Sequence, residues 1–187
     1  MSYYTAEELE KLKFNRLGCD VKISRKASIY NTDLISMGDF ARVDDFCVLS
    51  GKISIGRNVH IAPHCIIAGG TEGVSIGDFS GFAYGVVVMS QTDDYSGKTL
   101  TNPTIPDEFK QETKIHTSID KHVIVGTNSV ILPGANLNEG VSVGALSLVT
   151  KATQPWTVYF GSPAKKIRSR SRDLLKLEEQ YLKKQSS

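Results

Sequence analysis

The sequence is poor in the features that announce most functions. No apolar run approaches the ~18–20 residues that span a bilayer, so no membrane span is expected. The opening stretch, MSYYTAEELEKLKF, lacks an apolar h-region, so no secretory signal is expected either. Cysteine is scarce. Cys19, Cys47 and Cys65 are an odd number set in apolar stretches, which argues against a disulfide framework or a metal site. They read as small buried side chains in a reducing compartment, and a cytoplasmic location is the resulting expectation. The 22 basic residues barely outnumber the 20 acidic ones, and a net charge of +2 is too small to mark a nucleic-acid or membrane-surface protein. At 187 residues the chain fits one domain with a real core and leaves little room for a second.

What the sequence does carry is a period. An apolar residue recurs every six positions at Leu17, Ile23 and Ile29, and after a two-residue slip at Met37, Val43, Leu49, Ile55, Ile61 and Ile67. Three extra residues precede Ile76, Phe82 and Val88, and a long interruption precedes Ile119, Val125, Ile131, Leu137, Val143 and Val149. Eighteen rows in phase match neither the 3.6-residue period of a helix nor the two-residue alternation of an antiparallel strand. The pattern fits an all-β solenoid, a parallel β-helix of short strands with three strands to the turn, the recurring apolar side chain pointing inward. A glycine often follows it (Gly18, Gly38, Gly56, Gly77, Gly126, Gly144), and the expectation is that this small residue lets the chain turn.

Two helices flank the solenoid. Thr5-Ala6-Glu7-Glu8 reads as a capping box that opens a short helix within residues 1–16. Residues 169–187 hold a second, SRDLLKLEEQYLKK, expected to cover an open end of the prism. The solenoid occupies residues 17–168, broken by an excursion over about 90–118 that contains Gly97, Pro103 and Pro106. A loop this long in a compact domain is usually functional or disordered.

The repeat resembles that of the hexapeptide-repeat acyltransferases, and the order Ile76-Gly77-Asp78, Asp93-Asp94-Tyr95, Asn102-Pro103 is similar to their galactoside and maltose branch. It is similar also to sugar O-acetyltransferases of polysaccharide clusters. The resemblance implies a left-handed helix, a homotrimer with sites between subunits, and an excursion that helps to form the acceptor pocket. It implies a role in acceptor binding for Arg42, Asp93, Asp94, Tyr95 and Asn102. The segment from Val125 to Lys151 is similar to the family's acyl-CoA-binding coils, and Gly161-Ser162-Pro163-Ala164-Lys165-Lys166-Ile167-Arg168 to its terminal motif. Thr127 and Ala145 lie eighteen apart and stack on successive turns, where small side chains leave a groove for a pantetheine arm. The resemblance places Thr150, Lys151 and Pro163 beside the donor. Lys165, Lys166 and Arg168 have the right chemistry for its phosphates. Acetyl-CoA is the expected donor, with no metal.

Acyl transfer from a thioester needs a base to take the acceptor's proton. The candidates are His60, His64, His116 and His122. Repeat phase stacks His60 between Arg42 and Gly81, and His64 between Phe46 and Gly85, all facing outward. In the galactoside and maltose branch the base follows the row of Val88, where this chain has Asp93, a poor base unless burial raises its pKa. Val59-His60-Ile61-Ala62 resembles a segment of the polysaccharide-cluster relatives, which favours His60, with His64 second. Asp93 and Asp94 would then orient the acceptor or the imidazole. O-acetylation of a sugar hydroxyl is the expected activity. N-acetylation of a nucleotide-linked amino sugar is the alternative, disfavoured because some such enzymes carry an extra nucleotide-binding domain. A zinc enzyme would need a third histidine near His60 and His64, and an inert scaffold would need neither the excursion nor the basic tail.

Overall fold

A computed structural model describes residues 2–185. The six-residue rows become the inner edge of a parallel β-helix of about seven turns. Sixteen of the eighteen row residues are buried in one continuous core, and only Leu17 and Ile29 of the first coil are half-covered. One face is an eight-stranded sheet containing Lys22–Ile23, Arg42–Val43, His60–Ile61, Gly81–Phe82, Ile124–Val125 and Ser142–Val143. The other two merge into a nine-stranded sheet, because Val48–Ile55 and Ile66–Ile76 run unbroken around a corner. The three extra residues before Ile76 are absorbed there: the eleven-residue strand pairs with the eight-residue one through two register shifts beside Gly51.

The recurring glycines do not make the turns. Positive φ falls two residues later, on Phe40, Asn58, Phe79, Asn128 and Leu146, each between +52° and +60°. Each of these left-handed residues donates its N–H to a carbonyl of the preceding coil, as in Asn128 to Tyr84 at 2.9 Å and Leu146 to Thr127 at 2.8 Å. The glycines are small because the next coil lies on top of them: a Cβ on Gly126 would sit 2.5 Å from the backbone nitrogen of Ala145.

The first helix, α1 (Ala6–Lys11), has the expected capping box on Thr5 and Glu8 and buries Leu9 against the first coil. The last helix, α2 (Leu174–Gln185), departs from expectation: it lies along a corner of the prism, not over an end. Tyr181 Oη accepts from Asn58 Nδ2 at 3.0 Å and its ring meets Phe79 edge-on at 6.0 Å. Glu178 takes His122 Nε2 at 2.8 Å, and Gln185 takes Arg57 at 2.7 Å. The physical reason is the corner ladder itself. Left-handed residues aim Asn58, Phe79 and His122 outward, and the half-buried side of α2 covers them. The last coil is closed instead by the hairpin of Thr157–Phe160 and Lys165–Ser169. No helix among the described residues is long and apolar enough to cross a membrane. Cys47 and Cys65 are buried as small core side chains, but Cys19 is exposed.

Candidate active site

On the eight-stranded face, Arg42, His60 and Gly81 stand in register on successive coils, as the period predicts. The period did not reveal Asp44. This carboxylate, 2% exposed, accepts His60 Nε2 at 2.8 Å on Oδ2, and Arg42 through Nε at 2.7 Å and Nη2 at 3.1 Å. Burial pushes the Asp44 carboxyl up, but hydrogen bonds from Arg42 and His60 outweigh it and hold it below its usual value. An ionised Asp44 keeps the proton of a neutral imidazole on Nε2 and leaves the Nδ1 lone pair for an acceptor. A Cβ on Gly81 would meet nothing within 4 Å, so space is open beside the ring. The signal for Asp44 was its place one turn below, two residues after Arg42, which stacks under His60.

The other histidines differ in kind. His64 stacks on Phe46 at 5.1 Å and is exposed at a left-handed corner (φ +66°). His116 bridges Ser75 Oγ at 3.0 Å and the Glu72 carbonyl at 3.1 Å. His122 is buried under α2 between Phe79 and Glu178.

The excursion leaves after Val87–Met89 and rejoins the sheet at Thr117–Ile119, its base closed by antiparallel pairing of Gln91–Thr92 with Thr113–Lys114. Asp93 and Asn102 come together, Asn102 N–H donating to Asp93 Oδ1 at 3.2 Å. Asp94 organises its own loop, accepting from the Ser96 amide (2.8 Å) and hydroxyl (3.0 Å), the Lys98 amide, and the Thr99 amide and hydroxyl (all 3.2 Å). Led by the Ser96 bonds, these hold its carboxyl down at about 2, so it is an anion and not a proton acceptor. Tyr95 projects into solvent, 91% exposed.

At the far end, Thr127 and Ala145 stack as their spacing predicts, with Gly126 and Gly144 between the strands. Two buried serines that the period left unremarked support this corner. Ser129 Oγ donates to the Gly144 carbonyl at 2.9 Å, and Ser147 Oγ accepts from the Gly161 amide at 3.0 Å. Thr150, Lys151, Pro163 and Ala164 line a cavity of about 310 Å³ next to this corner, with Val149 and Tyr159 as its apolar wall. Lys165, Lys166 and Arg168 lie exposed on the closing hairpin, Lys166 bonded to Gln154 at 2.9 Å. Small residues, an apolar wall and neighbouring cations suit a long thiol-bearing arm ending in phosphates. Among the described residues no cluster of three or more His, Cys, Asp or Glu side chains is placed to hold a metal.

No family profile matches the chain. It is 41% identical over 187 residues to a dTDP-4-amino-4,6-dideoxy-D-glucose acyltransferase of Escherichia coli, covering 97% of this chain and 95% of that one. It superimposes with a TM-score of 0.96 and 43% identity on a variant of AntD, an N-acyltransferase from Bacillus cereus in complex with dTDP-4-amino-4,6-dideoxyglucose and coenzyme A, over 98% of both chains. On AntD bound to dTDP and 3-hydroxybutyryl-CoA the TM-score is 0.98, at 42% identity over 100% of this chain and 99% of that one. A galactoside O-acetyltransferase of Lactococcus lactis is more distant, 28% identical over 122 residues and 58% of this chain.

These relatives overturn the expectation of O-acetylation in favour of N-acylation. An extra nucleotide-binding domain is no requirement for an amino-sugar acceptor, because AntD, matched over 98% of its length, is in complex with dTDP-4-amino-4,6-dideoxyglucose.

Proposed function

The chain belongs to the hexapeptide-repeat acyltransferases, and from that premise we propose that it transfers a short acyl group from acyl-CoA to the amine of a nucleotide-linked amino sugar, with a dTDP-4-amino-4,6-dideoxyhexose as the acceptor class. The observation that carries the proposal is the near-complete match to AntD with amino sugar and coenzyme A together. The amine nitrogen attacks the thioester carbonyl carbon, the C–S bond breaks, and the proton shed by nitrogen ends on the coenzyme A thiolate. An amine brings its own lone pair, so it asks less of a base than a hydroxyl does.

Each side chain then has a task. His60 Nδ1 takes the amine proton while Asp44 holds the ring. Asp93 and the ionised Asp94 orient the acceptor's amine, while Tyr95 and Asn102 shape the same rim. Arg42 stays with Asp44, and His64 contributes a flat wall. Thr127 and Ala145 bed the pantetheine, Thr150, Lys151 and Pro163 line the cavity at its end, and Lys165, Lys166 and Arg168 meet the phosphates. We infer a cytoplasmic homotrimer in which the excursion of one subunit faces the donor corner of the next. A monomer in solution would sink that shared site.

The test is mass spectrometry of mixtures with acetyl-CoA or 3-hydroxybutyryl-CoA and a dTDP-linked 4-amino-4,6-dideoxyhexose, beside the same nucleotide sugar bearing a hydroxyl. Acylation of the amine alone is expected. Loss of about 10²–10⁴ in rate is expected for His60→Gln. Acylation of the hydroxyl sugar at an equal rate refutes the acceptor class.

A further inference from the structure

The segment ahead of α1 reaches into this site. Tyr4 N–H donates to the Ile23 carbonyl at 3.0 Å, Arg25 N–H to the Ser2 carbonyl at 2.9 Å, and Arg25 Nε to the Tyr3 carbonyl at 3.2 Å. Tyr3 bridges Ser24 in antiparallel fashion, and Arg25 pairs with Glu8 of α1. So anchored, the Tyr3 hydroxyl donates to Asp44 Oδ1 at 3.2 Å, and the Arg42 guanidinium lies 5.7 Å from the centre of its ring. Four donors now share two buried oxygens: Tyr3 Oη and Arg42 Nε on Oδ1, Arg42 Nη2 and His60 Nε2 on Oδ2. A carboxylate offers about four lone-pair sites, so Asp44 is saturated and held in one orientation.

Anchoring the chain end does not need the hydroxyl. The main-chain bonds and the Arg25–Glu8 pair already do that. What the hydroxyl adds, beside its contact with the Arg42 guanidinium, is a bond to the carboxylate that also orients the imidazole. We propose that Tyr3 is a positioning residue for His60, acting through Asp44 and making the N-terminal segment a working part of the active site.

The proposal rests on His60 as the base. Without the Tyr3 hydroxyl, Asp44 Oδ1 keeps only Arg42, and the carboxylate that orients the ring loses one of its four fixed contacts. The charged groups facing His60 are Arg42 and Asp44 from the coil below, and the Tyr3 hydroxyl meets the other oxygen of Asp44 from the N-terminal segment. On the coil above, Gly81 pairs with His60. Asp45 is turned away, held by Ser24 and by Lys26 at 3.4 Å.

The experiment uses the full chain with Tyr3→Phe, Asp44→Asn and His60→Gln. The His60 ring signals are followed by NMR, assigned by their loss in His60→Gln, alongside kcat and KM. For Tyr3→Phe we expect unchanged KM for acyl-CoA, about tenfold lower kcat, and His60 ring signals displaced and broadened as the ring loses its fixed orientation. Asp44→Asn should displace the same signals further, a graded response in one ring that a merely structural tyrosine would not produce. If the His60 ring signals in Tyr3→Phe match the parent's while His60→Gln is inactive, the proposal falls and the base stands. If His60→Gln acylates at the parental rate, the base falls and the proposal with it.

Discussion

Two glycines at opposite ends of short strands on the eight-stranded face, Gly126 and Gly81, make a sharp test of how the coils are packed. Replacing Gly126 by alanine would put a Cβ 2.5 Å from the Ala145 nitrogen, 2.8 Å from the Gly144 carbonyl carbon and 2.9 Å from the Ala145 Cα. All three are backbone atoms of the next coil, so no side chain can swing away. The coils must part locally, which strains the 2.8 Å bonds from Gly126 N–H to Val143 and from Leu146 N–H to Thr127. Overpacking of this kind costs about 1–3 kcal/mol, and weakening two backbone bonds adds about 1 kcal/mol. A total near 3 kcal/mol corresponds to a Tm lower by about 6–12 °C in a chain of this size. Because Thr127 and Ala145 flank the strain, the KM for acyl-CoA should rise as well. Gly81→Ala is the control: its Cβ would meet nothing within 4 Å, so stability should change by less than about 0.5 kcal/mol. Its methyl would enter the space beside His60 and raise the KM for the amino sugar alone. Thermal unfolding at one protein concentration, with both KM values, checks the pair. Equal Tm values for the two variants would refute the close-packing account of the recurring glycines.

Neutralising the hairpin cations with Lys165→Gln and Arg168→Gln should raise the KM for acyl-CoA about tenfold and leave kcat unchanged. Steady-state kinetics at low salt, repeated with a dephosphorylated coenzyme, measures this. The bonds led by those from Ser96 hold the Asp94 carboxyl at about 2, below the usual carboxylate range, so its contribution to loop order is complete above pH ~4 and fades as pH falls through about 2. The amide signals of Ser96, Lys98 and Thr99 should titrate in that window and cease to do so in Asp94→Asn, as NMR would show. Glu178→Ala strips the partner from buried His122 and should lower stability by about 1–3 kcal/mol through release of α2, read as faster hydrogen exchange at Tyr181. Acylation rate at a temperature well below unfolding should be unaffected.

The solenoid was legible because its information is periodic and carried by the backbone. An apolar residue every six positions can be buried in only one way that stacks all eighteen rows, and the pairing of Arg42 with His60 or Thr127 with Ala145 follows by counting. The capping box was legible for the same local reason. The choice between a hydroxyl and an amine was not. It turns on single polar contacts to the acceptor, and whole-chain similarity to AntD, not any motif, corrected it. Counting also misplaced the function of the glycines, since spacing shows where a small residue recurs but not whether dihedral freedom or the coil above demands it. Tertiary structure alone decided which side chains meet across unequal sequence distances. Asp44 finds His60 from sixteen residues away, Tyr3 finds Asp44 from 41, and Glu178 finds His122 from 56. None of these separations is a multiple of the repeat. Each contact depends on how a terminal segment or a rotamer settles against a finished prism, and no period in the chain encodes that.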